Sequence, residues 1–321
     1  MTLAPLPFPS DAAGWAAFAT ERPAERIARV HEIDARLTSD AELTTAARLE
    51  LWNDADIALA EALSEAYVVS EAHPDAEVRE IAESQVQAVE SLSAARLLNR
   101  GLWNAFADAS TDGLDADQAR LLTHLLRDFH RGGVELDEAD RERARQLADR
   151  DTELSLAFSR NIRDGRREIT VPAGGLAGMP QDFIDAHPAD AEGRVTLSTD
   201  YPDLMPVRDY AHDRATRVAL VSAYNDLAWP ENDAILAELL DVRAERARLL
   251  GYPDWADYET ETRMIGSGAE IPAFLSRLDD ASRAATDAEY PILLERLRRD
   301  IPAADVVSIA DFWYLLGAIK R

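Results

Sequence analysis

Histidine, cysteine, serine and the carboxylates move protons, attack carbonyls or hold metals, so their number and spacing bound the chemistry open to a chain. The 321 residues include no cysteine, which removes thiol nucleophiles, thiolate zinc sites and disulfides together. Six histidines remain, His31, His73, His124, His130, His187 and His212, and no two have the i, i+4 spacing that puts two rings on one metal from a single helix. His31-Glu32 opens in the manner of a zinc-protease helix but reaches Ala35 where the second histidine is required. His124 and Asp128 do share a helical face, yet the leucines around them favour core or solvated polar roles over a metal pair. Gly174-Gly175-x-x-Gly178 lacks the strand-to-helix setting and the basic residue of a phosphate cradle. With 60 aspartates and glutamates, an acid pair suited to general acid/base work is expected by chance alone. Composition and spacing therefore assign no catalytic residue, no metal ligand and no substrate-binding residue in this chain.

Glycine and proline punctuate the elements that would position any site. Between Gly14 and Gly101 no glycine occurs, and Pro23 and Pro74 are the only prolines, so long helices are expected throughout the first third. Val78, Ala82, Val86, Val89, Leu92, Ala95, Leu98, Leu102 and Phe106 recur at steps of three and four, which predicts a helix from Asp75 to about Ala109. Asp115 with Gln118 three residues on reads as a capping box, and Gly132-Gly133 as the stop of the helix it opens. A stripe from Asp137 to about Asn161 is interrupted by Asp151, whose charged neighbours suggest a partly exposed turn. Beyond Gly165 the period changes to two: Arg167 to Val171 and Arg194 to Ser198 alternate as half-buried strands do. Helices then resume over about Val207 to Asp226, Asn232 to Leu250, Pro253 to Met264, Ala269 to Arg299 with a kink or break at Pro291, and from Ile309 onward. Tyr252, Trp255 and Tyr258 at helical spacing are expected to pack in a core, since no basic groove accompanies them as a base-stacking surface would need. The fold class is mainly α with a small β excursion near 166–200, and the domain expectation is an all-helical 1–165 followed by a mostly helical 166–321.

The balance of 34 basic against 60 acidic residues leaves a net charge of −26, which disfavours nucleic acid and anionic membrane surfaces as partners. Met1 to Ser10 has three prolines but no basic stretch or apolar run of the secretory kind, and no window is long enough to span a bilayer, so the cytoplasm is the expected location.

Several stretches, taken in order, resemble one family. They begin with Ala72-His73-Pro74-Asp75-Ala76-Glu77-Val78-Arg79, then Leu126-Arg127-Asp128-Phe129-His130-Arg131-Gly132-Gly133-Val134-Glu135-Leu136 and Phe158-Ser159-Arg160-Asn161. They continue through Gly178-Met179-Pro180-Gln181-Asp182-Phe183-Ile184, the pair Arg214 and Arg217, Leu249-Leu250-Gly251-Tyr252, Trp255-Ala256-Asp257-Tyr258 and Asp311-Phe312-Trp313-Tyr314. This order resembles the amino-terminal half of the thimet oligopeptidase family, which includes oligopeptidase A and dipeptidyl carboxypeptidase, over about residues 60 to 314. The sequence departs from the family at Ala310, where Trp is usual, and at Arg263, where Lys is preferred. The resemblance implies a zinc metallopeptidase that cuts short peptides in a channel between two helical lobes, with His-Glu-x-x-His and a later Glu as its metal site. None of those site residues occurs in this chain, so no zinc is expected on it, and the carboxyl-terminal half of the same protein is the implied partner.

Ile309, Phe312, Trp313, Leu315, Leu316, Ala318 and Ile319 make the last helix apolar around most of its girth, which suggests a truncated chain whose final helix is left in water. Three readings stand at this stage: an inactive amino-terminal portion of a zinc oligopeptidase, a complete helical module that binds peptides or a partner without chemistry, and a structural adaptor.

Overall fold

A computed structural model describes residues 8–320; the start of the proline-rich segment, residues 1–7, and Arg321 lie outside the described residues. The described chain is mainly α, with one two-stranded sheet, and its internal contacts divide it into two units. The first comprises residues 8–157 and 235–259, and the second residues 158–234 and 260–320.

In the first unit, α1 (Ala12–Ser39) and α2 (Thr45–Ala72) are the long helices that the glycine-free stretch calls for. Asp11 and Thr44 cap them by accepting from the backbone N–H of Gly14 and Ala47. The third helix, α3 (Ala76–Leu97), ends earlier than the apolar stripe. Asn99 takes the N–H groups of Gly101 and Leu102 on its side chain and so starts a separate short helix, α4 (Arg100–Asn104). The expected single helix to Ala109 is thus two, because a capping side chain competes with helix continuation. Leu102 and Phe106 keep the buried face across that break. The capping box at Asp115 and Gln118 opens α5 (Ala116–Gly132), and Gly133 closes it at φ 98°, a left-handed conformation that glycine adopts without a Cβ penalty. Trp52, Phe106 and Phe129 meet at the centre, with ring centroids 5.3 Å (Trp52–Phe129) and 5.8 Å (Trp52–Phe106) apart.

Next, α6 (Glu138–Asp164) runs straight through Asp151, so the expected exposed turn is a helix interior. The carboxylate is satisfied by Arg243, on α10 (Glu231–Leu249), at 3.0 and 3.1 Å. Leu147 and Leu154 pack with Leu239 and Val242 beside that ion pair.

In the second unit, β1 (Glu168–Pro172) pairs antiparallel with β2 (Arg194–Ser198), Thr170 opposite Thr196, and buries Val171, Val195 and Leu197. Between them lie a 3-10 turn (Ala173–Leu176) and the short helix α7 (Gln181–Ala186). The helix expected over Val207 to Asp226 is two: α8 (Tyr201–Tyr210) and α9 (Arg214–Asn225), separated where Asp213 caps α9 by accepting from the N–H and hydroxyl of Thr216. The segment after Gly251 shortens to α11 (Trp255–Thr260). Helix α12 (Glu270–Asp300) continues unbroken past Pro291, and every residue from 272 to 292 is exposed.

The last helix, α13 (Ile309–Lys320), is not left in water as its apolar girth suggests. Leu315 is 0% exposed and Tyr314 is buried, packed with Leu293 and Leu297 of α12, while Ala310 joins the core formed by Val207, Leu220 and the strands. Ile309, Trp313 and Ile319 alone among its large apolar residues remain well exposed. No helix among the described residues is long and apolar enough to cross a membrane.

Candidate functional site

The histidines occupy separate surroundings. His31 and Glu32 are exposed on α1. His130 Nδ1 meets Glu135 Oε2 at 2.6 Å on the surface. His187 is the most engaged: Nδ1 lies 2.8 Å from the Phe183 carbonyl, Nε2 lies 3.0 Å from Asp203, and the ring stacks on Phe183. Ser198 completes a Ser, Asp and His grouping, but its hydroxyl donates to Asp203 at 2.7 Å and makes no bond to the imidazole. The carboxylate, its pKa lowered against the cost of burial by these hydrogen bonds, is a weak base, and the imidazole does not reach the hydroxyl, so the group serves to fasten β2 to α8.

Two of the three glycines of the 174–178 run serve close packing, while a Cβ at Gly174 would meet nothing within 4 Å. A Cβ at Gly175 would lie 2.4 Å from the Thr216 hydroxyl, and one at Gly178, where φ is 91°, would lie 2.5 Å from the His212 ring. Gly175 lets the turn after β1 approach α9, and Gly178 lets it approach the link between α8 and α9.

Of the three arginines buried among the described residues, Arg96 in the first unit and Arg217 in the second each centre an ion-pair network. In the second, Arg217 is 1% exposed and every guanidinium nitrogen is used: Nε donates to Ala310 O, one terminal nitrogen to Ala211 O and His212 O, the other to Asp311. Arg214 grips the same carboxylate at 2.9 Å, and Ser308 donates to it from both its N–H and its hydroxyl. Burial alone would raise the Asp311 pKa, but the hydrogen bonds from Arg214, Ser308 and Arg217 outweigh it and hold the carboxyl at about 2. Arg217 also lies over the Tyr314 ring, 4.0 Å from its centroid. The hydrogen bonds of the buried arginine are all made within the protein. They fix α13 to α9 and occupy the carbonyls freed where α8 ends.

In the first unit Arg96, on α3, is 3% exposed. Its Nε donates to both oxygens of Asp34, one terminal nitrogen donates to Asp56 at 2.8 Å, and the plane sits 3.9 Å from the Trp52 centroid. The remaining nitrogen is buried without a hydrogen-bond partner. Arg96, Trp52 and Asp56 line a cavity of about 320 Å³ whose other walls include Leu59, Leu63, Val89 and, from α5, His124 and Asp128. Burial raises the pKa of Asp34 and of Asp56 against the opposing pull of Arg96. Arg96 goes unmarked in the sequence, and Arg217 stands out there only as part of the family resemblance, with no role attached. The available signal was positional, since Arg96 falls seven residues after Val89 on the buried face, and Arg217 falls three before Leu220.

Residues 207–311 match the model of Peptidase family M3. The chain is 27% identical over 242 residues to a thimet-like oligopeptidase of Dictyostelium discoideum, covering 73% of this chain and 36% of that protein. It is 29% identical over 212 residues to oligopeptidase A of Salmonella typhimurium (60% and 31%) and 25% identical over 240 residues to saccharolysin of Saccharomyces cerevisiae (71% and 33%). The chain is thus related to the thimet oligopeptidases, and it spans about a third of the length of the curated relatives it matches. The zinc that this relationship implies does not fit the residues present: among the described residues no group of three or more His, Asp or Glu is placed to hold a metal ion.

Proposed function

We propose that the chain is the amino-terminal helical portion of a cytoplasmic, zinc-dependent oligopeptidase. The whole protein hydrolyses short peptides in a channel between helical lobes, and the 321 residues alone do not. The observation that carries this reading is the 242-residue similarity to a thimet-like oligopeptidase, joined to a sequence that contains no His-Glu-x-x-His. The metal ligands and the general base then belong to a part of the protein outside this sequence, and the residues here form scaffold and wall. The domain expectation of 1–165 and 166–321 enters this reading as two helical parts of that scaffold.

The test has two arms. The purified chain, supplied with zinc and a quenched fluorescent peptide, is expected to give no hydrolysis and no tightly held stoichiometric metal. Substituted for the matching segment of oligopeptidase A of Salmonella typhimurium, it is expected to give a chimera that cleaves the peptide and stops on chelation. Chelator-sensitive hydrolysis by the chain alone would overturn its non-catalytic role. A folded, zinc-loaded but inactive chimera would instead favour a binding module that does no chemistry.

A further inference from the structure

We propose that the Arg96 cavity binds the amino-terminal residue of a peptide, with its ammonium toward Asp56 and Asp128, its first carbonyl toward Arg96 and its side chain on the leucine walls. The inference rests on the reading that the protein meets peptides, and it assigns a binding site in the first unit to which no catalytic role is given.

Four observations lead there. A guanidinium nitrogen buried without an acceptor is costly, and a ligand oxygen that displaces the side chains covering it would satisfy it. The sibling nitrogen of the same guanidinium is bonded to Asp56, so a ligand that engages both Arg96 and Asp56 must carry an acceptor and a donor close together. Charge sets the donor's sign: one arginine faces the two carboxylates of Asp34 and Asp56, a surplus of negative charge, while Asp128 is paired with Arg127. An ammonium is favoured there and a ligand carboxylate is not. Finally, the cavity volume of about 320 Å³ and the walls of Leu59, Leu63 and Val89 suit an apolar side chain. An ammonium next to a carbonyl and an aliphatic group is what the first residue of a peptide presents. A free amino acid shares the ammonium but adds the disfavoured carboxylate.

The test is calorimetric titration of the 321-residue chain with leucinamide, N-acetyl-leucinamide, leucine and Leu-Gly-Gly. Leucinamide and Leu-Gly-Gly are expected to bind, and acetylation, which removes the charge-assisted bonds, is expected to weaken binding by about tenfold or more. Leucine should bind more weakly than its amide. Ala60→Trp, at an exposed position on the cavity wall, should abolish binding while the circular dichroism spectrum is unchanged, and Asp128→Asn should weaken it. Equal binding of the two amides, leucine binding as tightly as leucinamide, absence of binding, or binding that survives Ala60→Trp would each overturn the proposal. A chimera that cleaves peptides while leucinamide fails to bind would sink this inference alone. Leucinamide binding beside an inactive chimera would sink the enzymatic reading alone.

Discussion

At Asp311 donors from three residues converge on one carboxylate that is 0% exposed, and one of those residues, Arg217, is as cut off from water as the carboxylate itself. Such a pair adds less stability than its geometry suggests, because both charges were desolvated to make it, but removing one member strands the other. Asp311→Asn is therefore expected to destabilise the second unit by about 3–5 kcal/mol in urea unfolding. Asp54→Asn, which removes an exposed pair with Arg29 at 3.4 Å, should change stability by less than about 1 kcal/mol. If the two substitutions cost the same, the Arg217–Asp311 network is not an anchor. At this scale the sequence was least legible. The charged residues that matter, Arg96, Arg217 and Asp311, differ from dozens of solvated ones only by lying on an apolar face. The partners that give them meaning are 40, 62 and 94 residues away. Spacing within a helix carries no such pairing.

For the elements, the last helix tests what amphipathicity can and cannot say. The apolar girth of α13 suggested a surface awaiting the rest of the protein, but Ala310, Tyr314 and Leu315 are already buried among α8, α9 and α12. Leu315→Ala is then expected to cost about 2–5 kcal/mol, as a cavity in a packed core does. Ile309→Ser, at a position 65% exposed, should change stability by less than about 1 kcal/mol. Deleting residues 309–320 should unfold the second unit instead of improving its solubility. Urea curves showing a stable, more soluble deletion variant would restore the view that the helix is unpartnered. Large apolar residues are left about half exposed on α12 as well, at Phe274, Leu275, Leu278 and Ile292. Hydrophobic period identified both helices, and the glycines and caps placed the stop at Gly133 and the start at Ala116. It could not separate α3 from α4 or α8 from α9, because an Asn or Asp that caps a new helix inside a continuing apolar stripe leaves the stripe intact.

Across the whole molecule, the two units carry carboxylates of opposite tendency. In the second, burial would raise Asp203 and Asp311, but hydrogen bonds from Ser198 and His187 and from Arg214, Ser308 and Arg217 outweigh it. Asp213, held chiefly by the Thr216 hydroxyl, is lowered as well. A carboxyl lowered on folding binds its proton less readily in the native state. Its contribution is complete above the unfolded value of about 3.9 and is lost as the pH falls, toward about 2 for Asp311. In the first unit burial raises Asp34, Asp56 and Glu90, so the native state there takes up protons more readily than the unfolded chain and gains stability as the pH falls. Glu142, Glu238 and Glu245 in the same unit are lowered by Arg145, Arg150 and Arg143, but these ion pairs are solvent-exposed and add little. Acidification should therefore open the second unit first. Hydrogen exchange during an acid titration is expected to show protection lost over 204–221 and 309–320 while residues 47–106 stay protected. Simultaneous loss in both units, or earlier loss in 47–106, would mean that their carboxylates do not set the order of acid unfolding.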